Sequence, residues 1–375
     1  MGALDIVEVE TGAQLDEFID YPNRLYAKCK QYVWPLKIER REFFDQQRNP
    51  FYKVARTKLF LAMQNGEVCG RIATCINYTH NDFHQEKAGF FGFFDCPDDF
   101  EIATRLLKVA MITLKKEGME KMRGPMNFST NHEIGFLVEG YDLPPTVMMP
   151  YNFPYMPRLA EKFGLKKVMD LIGFLITKDD PIPERIQRVV TRLQERSGIV
   201  VRPLNERDFD NEVHRMLEVY NQAWAHNWGF VPMDQQEFFY TVKQMKQIYD
   251  PHLVFIAEHE GKPVAFSVAL PDINQALIHL KGKLLPFGIL KLLWHTKISK
   301  KVTGLRMITM GVIPQYHKRG IDMMFFVNTY NMGIQRGYKW AELSWILETN
   351  ELMCRAAEDM GAKPYKKYRI MEMPL

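Results

Sequence analysis

The most chemically informative segment is a basic, glycine-containing turn that joins a strand to a helix late in the chain. The strand is predicted over residues 306–312 and the helix over 323–335, with His317, Lys318 and Arg319 between them. At the start of a helix several backbone N–H groups have no partner within the helix, and the helix dipole adds partial positive charge. A pyrophosphate fits such a place. The alternative is an ordinary turn with a solvated basic patch.

This turn resembles the acetyl-CoA loop of the GNAT superfamily of N-acyltransferases, in which a strand ending V-x-P is followed by R/Q-x-x-G-x-G/A and a helix. Val312 and Pro314 match this pattern, His317 stands where Arg or Gln is usual, and Asp322 replaces a second small residue. The resemblance implies an acyl-CoA co-substrate, and the departure at Asp322 leaves a carrier-protein-bound donor as the alternative. The acyl-CoA-binding residues that it implies are Val312, His317, Lys318, Arg319, Gly320, Ile321, Asp322 and Asn350.

The next segment resembles the strand, Asn, helix and terminal Gly-Phe that close a GNAT acyl-CoA site. Asn350 matches the Asn of the family, and the Gly-Ala pair at 361–362 matches its Gly-Phe. Ala357 stands where the family often has a Tyr general acid. Tyr365 and Tyr368, just downstream, are the candidate replacements, with Tyr365 taken first, and Glu342 is a further candidate catalytic residue in this part of the chain. The alternative for Tyr365 is a core position in the final strand.

A second polar cluster lies between apolar strands at residues 124–135. Acyl transfer to an amine needs a base that removes the ammonium proton and dipoles that hold the developing oxyanion. His132 and Glu133 are the candidate bases, and Asn131 is a candidate positioning group. The alternatives are a lining of the substrate site without catalysis and a turn whose polar side chains satisfy backbone groups.

No metal site is predicted. His80 and His84 have the spacing of neighbours on one helix face, but no third ligand follows at a telling distance. The five cysteines are scattered and form no C-x-x-C pair. No Walker loop, Rossmann fingerprint or Ser-His-Asp order competes for the chemistry.

The elements that position these residues occur twice along the chain. Each half reads strand, helix, hairpin, strand, helix, strand, helix, strand, and the hairpin turn at Asn65-Gly66 recurs at Glu260-Gly261. Such a repeat predicts an α/β fold with a sheet of mixed direction. The resemblance to the GNAT superfamily implies that the two copies are tandem GNAT-type domains. The predicted organisation is a degenerate N-terminal domain over 1–180 on the acceptor side, a linker helix over 181–196 and an acyl-CoA-binding domain over 197–375.

The first copy carries an acidic turn where the second carries the basic one. Asp98 and Asp99 stand at the predicted helix start. Carboxylates there cap a helix well but repel phosphate. The N-terminal copy is therefore predicted not to bind CoA at this turn.

Composition describes a folded protein of 375 residues with two cores and a formal net charge of +4. This charge favours no nucleic-acid partner. Scattered cysteines, an acidic start and the lack of an apolar run of about 20 residues predict a cytoplasmic protein. The segment 277–301 mixes apolar residues with lysines, and it is predicted either to make peripheral membrane contact or to form a lid or interdomain helix with a buried apolar face.

Over nearly its whole length the chain resembles a narrower group, the YghO-like or bacterial ceramide synthase-like proteins. The likeness rests on residues 77–84, 89–95, 124–133 and 148–155. Members studied as ceramide synthases N-acylate a sphingoid base from an acyl-CoA. The resemblance implies an acyl-CoA-dependent N-acyltransferase whose acceptor is a small-molecule primary amine, in particular a lipid or long-chain amine. Two alternatives stay open: a non-catalytic GNAT-derived binding protein and an aminoacyl-tRNA-dependent transferase with paired GNAT units.

Overall fold

The computed structural model of the chain describes residues 3–284, 288–295 and 301–375, which divide into two compact units. Unit 1 contains residues 3–171, 277–284, 288–291 and 366–375, and unit 2 contains residues 172–276, 292–295 and 301–365. Each unit has its own strands, helices and apolar core.

Strands and helices follow one another in a similar order in the two halves of the chain. The first half contains β1 (Leu4–Glu8), α1 (Gly12–Leu25), α2 (Lys37–Phe43), β2 (Ala55–Gln64), β3 (Glu67–Asn77), α3 (Tyr78–His84), β4 (Ala88–Asp95), α4 (Phe100–Lys116), β5 (Lys121–Gly124), β6 (Phe136–Glu139), α5 (Tyr155–Phe163) and β7 (Lys166–Thr177). The second half contains α6 (Glu184–Arg196), β8 (Ile199–Pro203), α7 (Phe209–Ala223), α8 (Gln235–Met245), β9 (Val254–His259), β10 (Lys262–Pro271), α9 (Asn274–Leu277), α10 (Gly288–Leu293), β11 (Gly304–Val312), α11 (Ile321–Gln335), β12 (Trp340–Leu347), α12 (Glu351–Asp359) and β13 (Lys363–Pro374). The predicted order of strand, helix, hairpin, strand, helix, strand, helix and strand is present in each half, and the structure adds α2, α3 and β6 to the first half and α6, α8, α9 and α10 to the second.

The two hairpin turns are formed in the same way. Asn65 and Gly66 have φ angles of 54° and 82°, and Glu260 and Gly261 have φ angles of 53° and 73°. Two successive residues with positive φ make a type I′ turn, whose twist matches that of the strands it joins. Both predicted hairpins are present, β2 with β3 and β9 with β10.

Unit 1 is built on strands of mixed direction. Strands β1 to β4 pair antiparallel in sequence, and β4 then pairs in parallel with β5. Residues 367–374 of β13 add an antiparallel strand beside β5 and β6. Helix α4 buries Ile102, Leu106 and Ala110 in the core because these positions share one helix face.

Unit 2 repeats this arrangement with β8 to β12. Strands β8, β9, β10 and β11 pair antiparallel with their neighbours, and β11 pairs in parallel with β12. Helix α11 buries Met324, Phe325 and Phe326 in the core, and α6 adds Val190. The predicted α/β class with a sheet of mixed direction is confirmed.

Candidate active site

Strands β11 and β12 run side by side for only part of their length. Their parallel pairing covers residues 304–307 and 340–343, yet β11 continues to Val312 and β12 to Leu347. Within the described part of unit 2 the two strands form no ladder beyond those residues. The edges that face each other there are open to the polar groups of a ligand.

The turn after β11 leaves the start of α11 without a side-chain cap. His317 donates a hydrogen bond from Nε2 to the carbonyl oxygen of Val312, at 2.9 Å, and so closes the turn. Lys318 and Gly320 have φ angles of 61° and 74°, and Gly320 directly precedes the helix. No described side chain bonds to the first N–H groups of α11. These groups are therefore available to an anion beside the parted strands.

Two cations flank this helix start. Lys318 and Arg319 are exposed, and the guanidinium carbon of Arg319 lies 4.6 Å from the centre of the Tyr316 ring. No carboxylate in the described ranges pairs with either cation. Ile321 is buried and anchors the helix, whereas Asp322 lies in the first turn. The predicted residues from Val312 to Asp322 thus form one turn with the features of an anion site.

Asn350 lies at the start of a different helix. Its side-chain oxygen accepts a hydrogen bond from the Met353 N–H group at 3.2 Å and so caps α12. The cap accounts for an Asn at this position on local grounds. A role for Asn350 in binding acyl-CoA stays a prediction.

Glu342 and Tyr365 are in direct contact in unit 2. The hydroxyl groups of Tyr365 and Ser344 both donate hydrogen bonds to the Glu342 carboxylate. Arg306 donates to the Ser344 hydroxyl at 2.9 Å, and its Nε lies 3.9 Å from Glu342 Oε1. Glu342 is fully buried and pairs in register with Arg306, one residue before the strands part. This network holds the Tyr365 hydroxyl in one orientation.

Glu133 lies in unit 1 and is held by two side chains. Arg40 of α2 forms an ion pair with its carboxylate, and Asn127 donates to it from Nδ2 at 2.7 Å. Burial raises the pKa of Glu133, but the charge of Arg40 and the two hydrogen bonds outweigh burial, so the pKa lies below its usual range. A carboxylate with a lowered pKa is a weak base.

His132 stands among aromatic rings in the same unit. Its ring packs edge-on against Phe43 and Phe51, with centroids 5.2 and 5.3 Å away. The Ser129 hydroxyl lies 3.1 Å from Nδ1 and accepts a hydrogen bond from the Asn131 N–H group, also at 3.1 Å. Burial lowers the pKa of His132 to about 4, so the ring is neutral at neutral pH. The predicted catalytic residues therefore form two groups, one in each unit.

A carboxyl group that the sequence analysis missed lies on α8 in unit 2. Glu237 is 8% exposed, and no described residue forms a hydrogen bond or ion pair with its carboxyl group. Burial and the negative charge of Asp234 raise the pKa of Glu237 to about 7. Asp234 caps α8 by accepting a hydrogen bond from the Glu237 N–H group at 2.8 Å. The Asp-x-x-Glu spacing therefore looks like a plain helix cap, and only the aromatic residues around it could have drawn attention to Glu237.

The segment predicted to contact a membrane is described only in part, since residues 285–287 and 296–300 lie outside the described ranges. Within unit 1, α10 exposes Ile289 and Leu290, by 45% and 64%. Among the described helices, none has both the length and the apolar character needed to cross a bilayer.

Two curated proteins are similar to this chain over nearly its whole length, although no protein-family profile matches it. A protein named bacterial ceramide synthase from Caulobacter vibrioides is 37% identical over 377 aligned residues, which cover 99% of this chain and 98% of that protein. Protein YghO from Escherichia coli K12 is 34% identical over 363 aligned residues, which cover 96% of this chain and 92% of that protein.

Solved structures with the same fold are GNAT proteins. A tandem GNAT protein from the clavulanic acid biosynthesis pathway has a TM-score of 0.59 at 10% identity, covering 99% of this chain and 98% of that one. A GCN5-related N-acetyltransferase from Sphaerobacter thermophilus has a TM-score of 0.53 at 12% identity, covering 99% and 95%. The predicted tandem GNAT fold is confirmed by these likenesses. The chain therefore belongs to the family of the bacterial ceramide synthase and YghO, and it is a GNAT-type N-acyltransferase.

Proposed function

We propose that the chain transfers an acyl group from acyl-CoA to the primary amine of a long-chain molecule, and that unit 2 holds the acyl-CoA. The junction between β11 and α11 carries this proposal. An uncapped helix start with Lys318 and Arg319 adjoins two strands that have parted. The helix start suits a pyrophosphate, and open strand edges suit the amide groups of a pantetheine arm.

The residues of the turn fit such a donor. Gly320 adopts a φ angle of 74°, which glycine tolerates without strain, and this turn directs the backbone N–H groups that follow it at a phosphate. Lys318 and Arg319 offset the charge of the phosphates, while the hydrogen bond from His317 to Val312 keeps the turn closed. Asp322 adds a negative charge to the same helix turn, and this makes the two cations more important. The bound thioester supplies an activated acyl carbonyl.

Transfer is direct in this proposal, without an acyl-enzyme. Cys354 is the single cysteine of unit 2, and burial together with the charges of Glu358 and Glu351 raises its pKa. It is therefore a thiol at neutral pH, whereas the nucleophilic form is the thiolate. The amine attacks the thioester carbonyl itself, and a tetrahedral intermediate follows.

Tyr365 is the proposed proton donor to the departing thiolate. Ala357, where the GNAT family often has its Tyr acid, is buried in the apolar core of unit 2. The Tyr365 side chain is half-buried, and its hydroxyl group is oriented by Glu342. Glu342 in turn is held by Ser344 and Arg306, so it acts on the reaction through Tyr365.

The acceptor is proposed to be a lipid or long-chain amine. A ceramide synthase joins a fatty acyl group to a long-chain amino alcohol. The Caulobacter relative with that name is 37% identical to this chain in an alignment that covers 99% of it. Each buried methylene contributes about 0.8 kcal/mol, or roughly a fourfold gain in affinity. Affinity should therefore rise steeply with the chain length of the substrate.

Membrane contact through α10 belongs to the same proposal. The exposed Ile289 and Leu290 lie close in sequence to the exposed Lys281, Lys283 and Lys291 in unit 1. Apolar side chains beside cations fit a surface of anionic lipids. We expect the chain to sediment with phosphatidylglycerol vesicles and Leu290→Ser to weaken this binding. Equal sedimentation with phosphatidylcholine vesicles would contradict the electrostatic part.

A product assay tests the activity. The purified chain is incubated with acetyl-, octanoyl- or palmitoyl-CoA and with sphinganine, dodecylamine or spermidine, and the products are identified by mass spectrometry. We expect amides of sphinganine or dodecylamine, with a rate that increases with acyl length. Turnover of spermidine alone, without dependence on acyl length, would refute the lipid assignment.

Calorimetric titration with CoA tests the donor site. The double variant Lys318→Ala/Arg319→Ala should bind CoA about tenfold more weakly, since the loss of two phosphate contacts costs about 1.4 kcal/mol or more. The matched control Lys115→Ala/Lys116→Ala removes two exposed cations from the C-terminal end of α4 in unit 1. It should leave the affinity for CoA unchanged. If the wild-type chain binds no CoA, the donor assignment is wrong.

A further inference from the structure

An amine must lose a proton before it can be acylated. A primary alkyl ammonium group resembles that of Lys, whose pKa is about 10.4, so it is protonated at neutral pH and has no free electron pair. The groups assigned so far do not solve this problem in unit 2. The Glu342 carboxylate accepts hydrogen bonds from Tyr365 and Ser344, and this occupies it.

Glu237 differs from the other buried Glu side chains in the described part of unit 2. Glu212 is paired with Arg202 and Arg215, and Glu342 belongs to the network around Arg306. Glu237 is also buried, with 8% of its surface exposed against 1% for Glu212 and 0% for Glu342, but has neither an ion pair nor a hydrogen bond to its carboxyl group within the described ranges. An isolated carboxylate in such a place is costly, which makes it a ready partner for a ligand cation.

Glu237 adjoins a group of aromatic side chains, Tyr220, Trp224, Phe230 and Phe238, called here the aromatic wall. The Tyr220 ring centroid lies 5.1 Å from that of Trp224, 5.5 Å from that of Phe230 and 5.7 Å from that of Phe238. Only Glu237 and Phe238 are buried among the residues of α8. Phe238 is itself part of the aromatic wall, and the charge of Glu237 acts on Tyr220 of the same wall.

The aromatic wall reaches the parted strands. Trp224 packs against Phe266 of β10, with 5.6 Å between ring centroids. Its indole also fills the space that a side chain at Gly311 would need, and Gly311 lies on β11 beyond its pairing with β12. Aromatic faces attract cations, and aliphatic chains pack well against them. A carboxylate and aromatic rings beside the open strands are suited to an alkyl ammonium ion.

We propose that Glu237 binds the ammonium group of the acceptor and accepts the proton that leaves before attack, an inference that rests on the proposed function. One ammonium N–H bond breaks and its proton passes to the Glu237 carboxylate. The nitrogen electron pair forms the C–N bond at the thioester carbonyl, and the C–S bond breaks. The thiolate takes the hydroxyl proton of Tyr365. The nitrogen then loses its second proton, which restores the Tyr365 hydroxyl, and Glu237 returns its own proton to solvent.

The charges around Glu237 suit this role. Asp234 is the titratable group whose charge acts on it, and burial together with the charge of Glu237 raises the pKa of the neighbouring Tyr220 and keeps that hydroxyl neutral. The pKa of Glu237 is raised to about 7, so the free group both accepts and releases a proton near neutral pH. The value of kcat/KM for the amine should therefore rise with pH through about 7.

Glu237→Gln tests the inference, with palmitoyl-CoA and dodecylamine as substrates. We expect kcat/KM for dodecylamine to fall about a hundredfold or more and its rise near pH 7 to disappear. Glu237→Asp keeps the carboxyl group and should recover part of the activity, which separates chemistry from folding. Glu218→Gln, an exposed position on α7, is the matched control and should behave as wild type. The CoA affinity of all variants should be unchanged.

Titration of dodecylamine and of dodecanol into the chain without acyl-CoA separates this inference from the proposed function. We expect the amine to bind more tightly than the alcohol, and Glu237→Gln to abolish the difference. If wild type acylates no amine, the proposed function is wrong. The titration still tests whether Glu237 binds an ammonium group, because it does not depend on acyl transfer. Equal binding of amine and alcohol, or wild-type kinetics in Glu237→Gln, would overturn the inference.

Discussion

The same strand-to-helix junction occurs in both units, where β4 leads to α4 and β11 leads to α11. In each unit the strand pairs in parallel with the next strand only over its first residues. Gly92 on β4 and Gly311 on β11 are 219 residues apart, as are Gly118 and Gly337, and are therefore equivalent positions of the repeat. The two junctions differ in what occupies them.

In unit 1 the chain itself fills the space between the parted strands. A Cβ at Gly92 would collide with the carbonyl oxygen of Met126. Met126 also donates from its N–H group to the Phe91 carbonyl oxygen at 2.7 Å, and the Phe93 N–H group donates to Asn127 Oδ1 at 2.8 Å. The strand edge that a ligand would use is already satisfied.

The start of α4 is also closed by the chain itself, whereas the start of α11 is open. Asp99 accepts hydrogen bonds from the N–H groups of Glu101 and Ile102, at 2.8 and 3.2 Å, and so neutralises the start of α4. Gly320 provides no such group at the start of α11. One copy of the repeat thus satisfies its junction with its own atoms, while the other leaves it available to a ligand.

A buried Tyr–carboxylate contact also occurs in both units. Tyr26 donates to Asp95 at 2.9 Å, and Arg71 donates to the same carboxylate at 2.7 Å. Tyr26 is fully buried, whereas Tyr365, which donates to Glu342, keeps part of its surface exposed. The two contacts therefore differ in the burial of their tyrosine, which is complete in unit 1 and partial in unit 2.

The largest effect should come from removing the Tyr365 hydroxyl group. Tyr365→Phe is expected to lower kcat about a hundredfold, because the leaving thiolate loses its proton donor. Tyr26→Phe removes the matching hydroxyl in unit 1 and should cost about 1–2 kcal/mol of unfolding free energy with kcat nearly unchanged. Steady-state kinetics and denaturant titrations on both variants provide the measurement. Equal losses of kcat would break the comparison.

The next largest effect should follow from a side chain at the open helix start. Gly320→Ala forces an L-residue to φ 74° and places a Cβ 2.5 Å from Leu193 Cδ1. We expect kcat/KM for acyl-CoA to fall about thirtyfold, since a strain of about 1–2 kcal/mol and the contact with Leu193 displace the turn that holds the phosphates. Gly66→Ala carries the same strain in a hairpin turn with open space around it and should lose stability only. Unchanged CoA binding by Gly320→Ala would place the donor elsewhere.

His132 should affect stability through pH. Its folded-state pKa of about 4 lies below the ordinary value of 6.5, so between these values the unfolded chain binds a proton that the folded chain does not. Unfolding free energy should therefore be full above about pH 6.5 and fall as the pH drops toward 4. His132→Asn should reduce this slope, as measured by denaturant unfolding across that range. A large loss of kcat at neutral pH with stability intact would instead support the predicted base role of His132.

The smallest effect should come from opening the closed helix start. Asp99→Ala removes the cap of α4 and should cost about 1 kcal/mol of unfolding free energy. We expect no gain in the amount of CoA bound, because Met126 and Asn127 still fill the strand gap in unit 1. Calorimetry that shows a second CoA site in this variant would contradict the idea that the gap is closed.

Sequence determined the features of this protein that depend on neighbouring residues. The Asn65-Gly66 turn, the acidic start of α4 and the basic turn before α11 can all be predicted, because turn conformation and helix capping are set within a few residues. The order of elements follows from periodicity and from its repetition. The contrast between an acidic and a basic junction is therefore a property of the residues in each turn.

Tertiary structure alone decided which polar groups are buried, paired or accessible. Glu237 has the spacing of a cap partner, and only the tertiary structure, in which α8 packs against α7, buries most of its surface. The contact between Gly92 and Met126, and that between Tyr365 and Glu342, join residues from separate strands and loops. Residues 366–375 belong to unit 1 although they end the chain. Desolvation and hydrogen bonding depend on all neighbours in space, so the chemical state of a carboxyl group cannot be derived from sequence spacing.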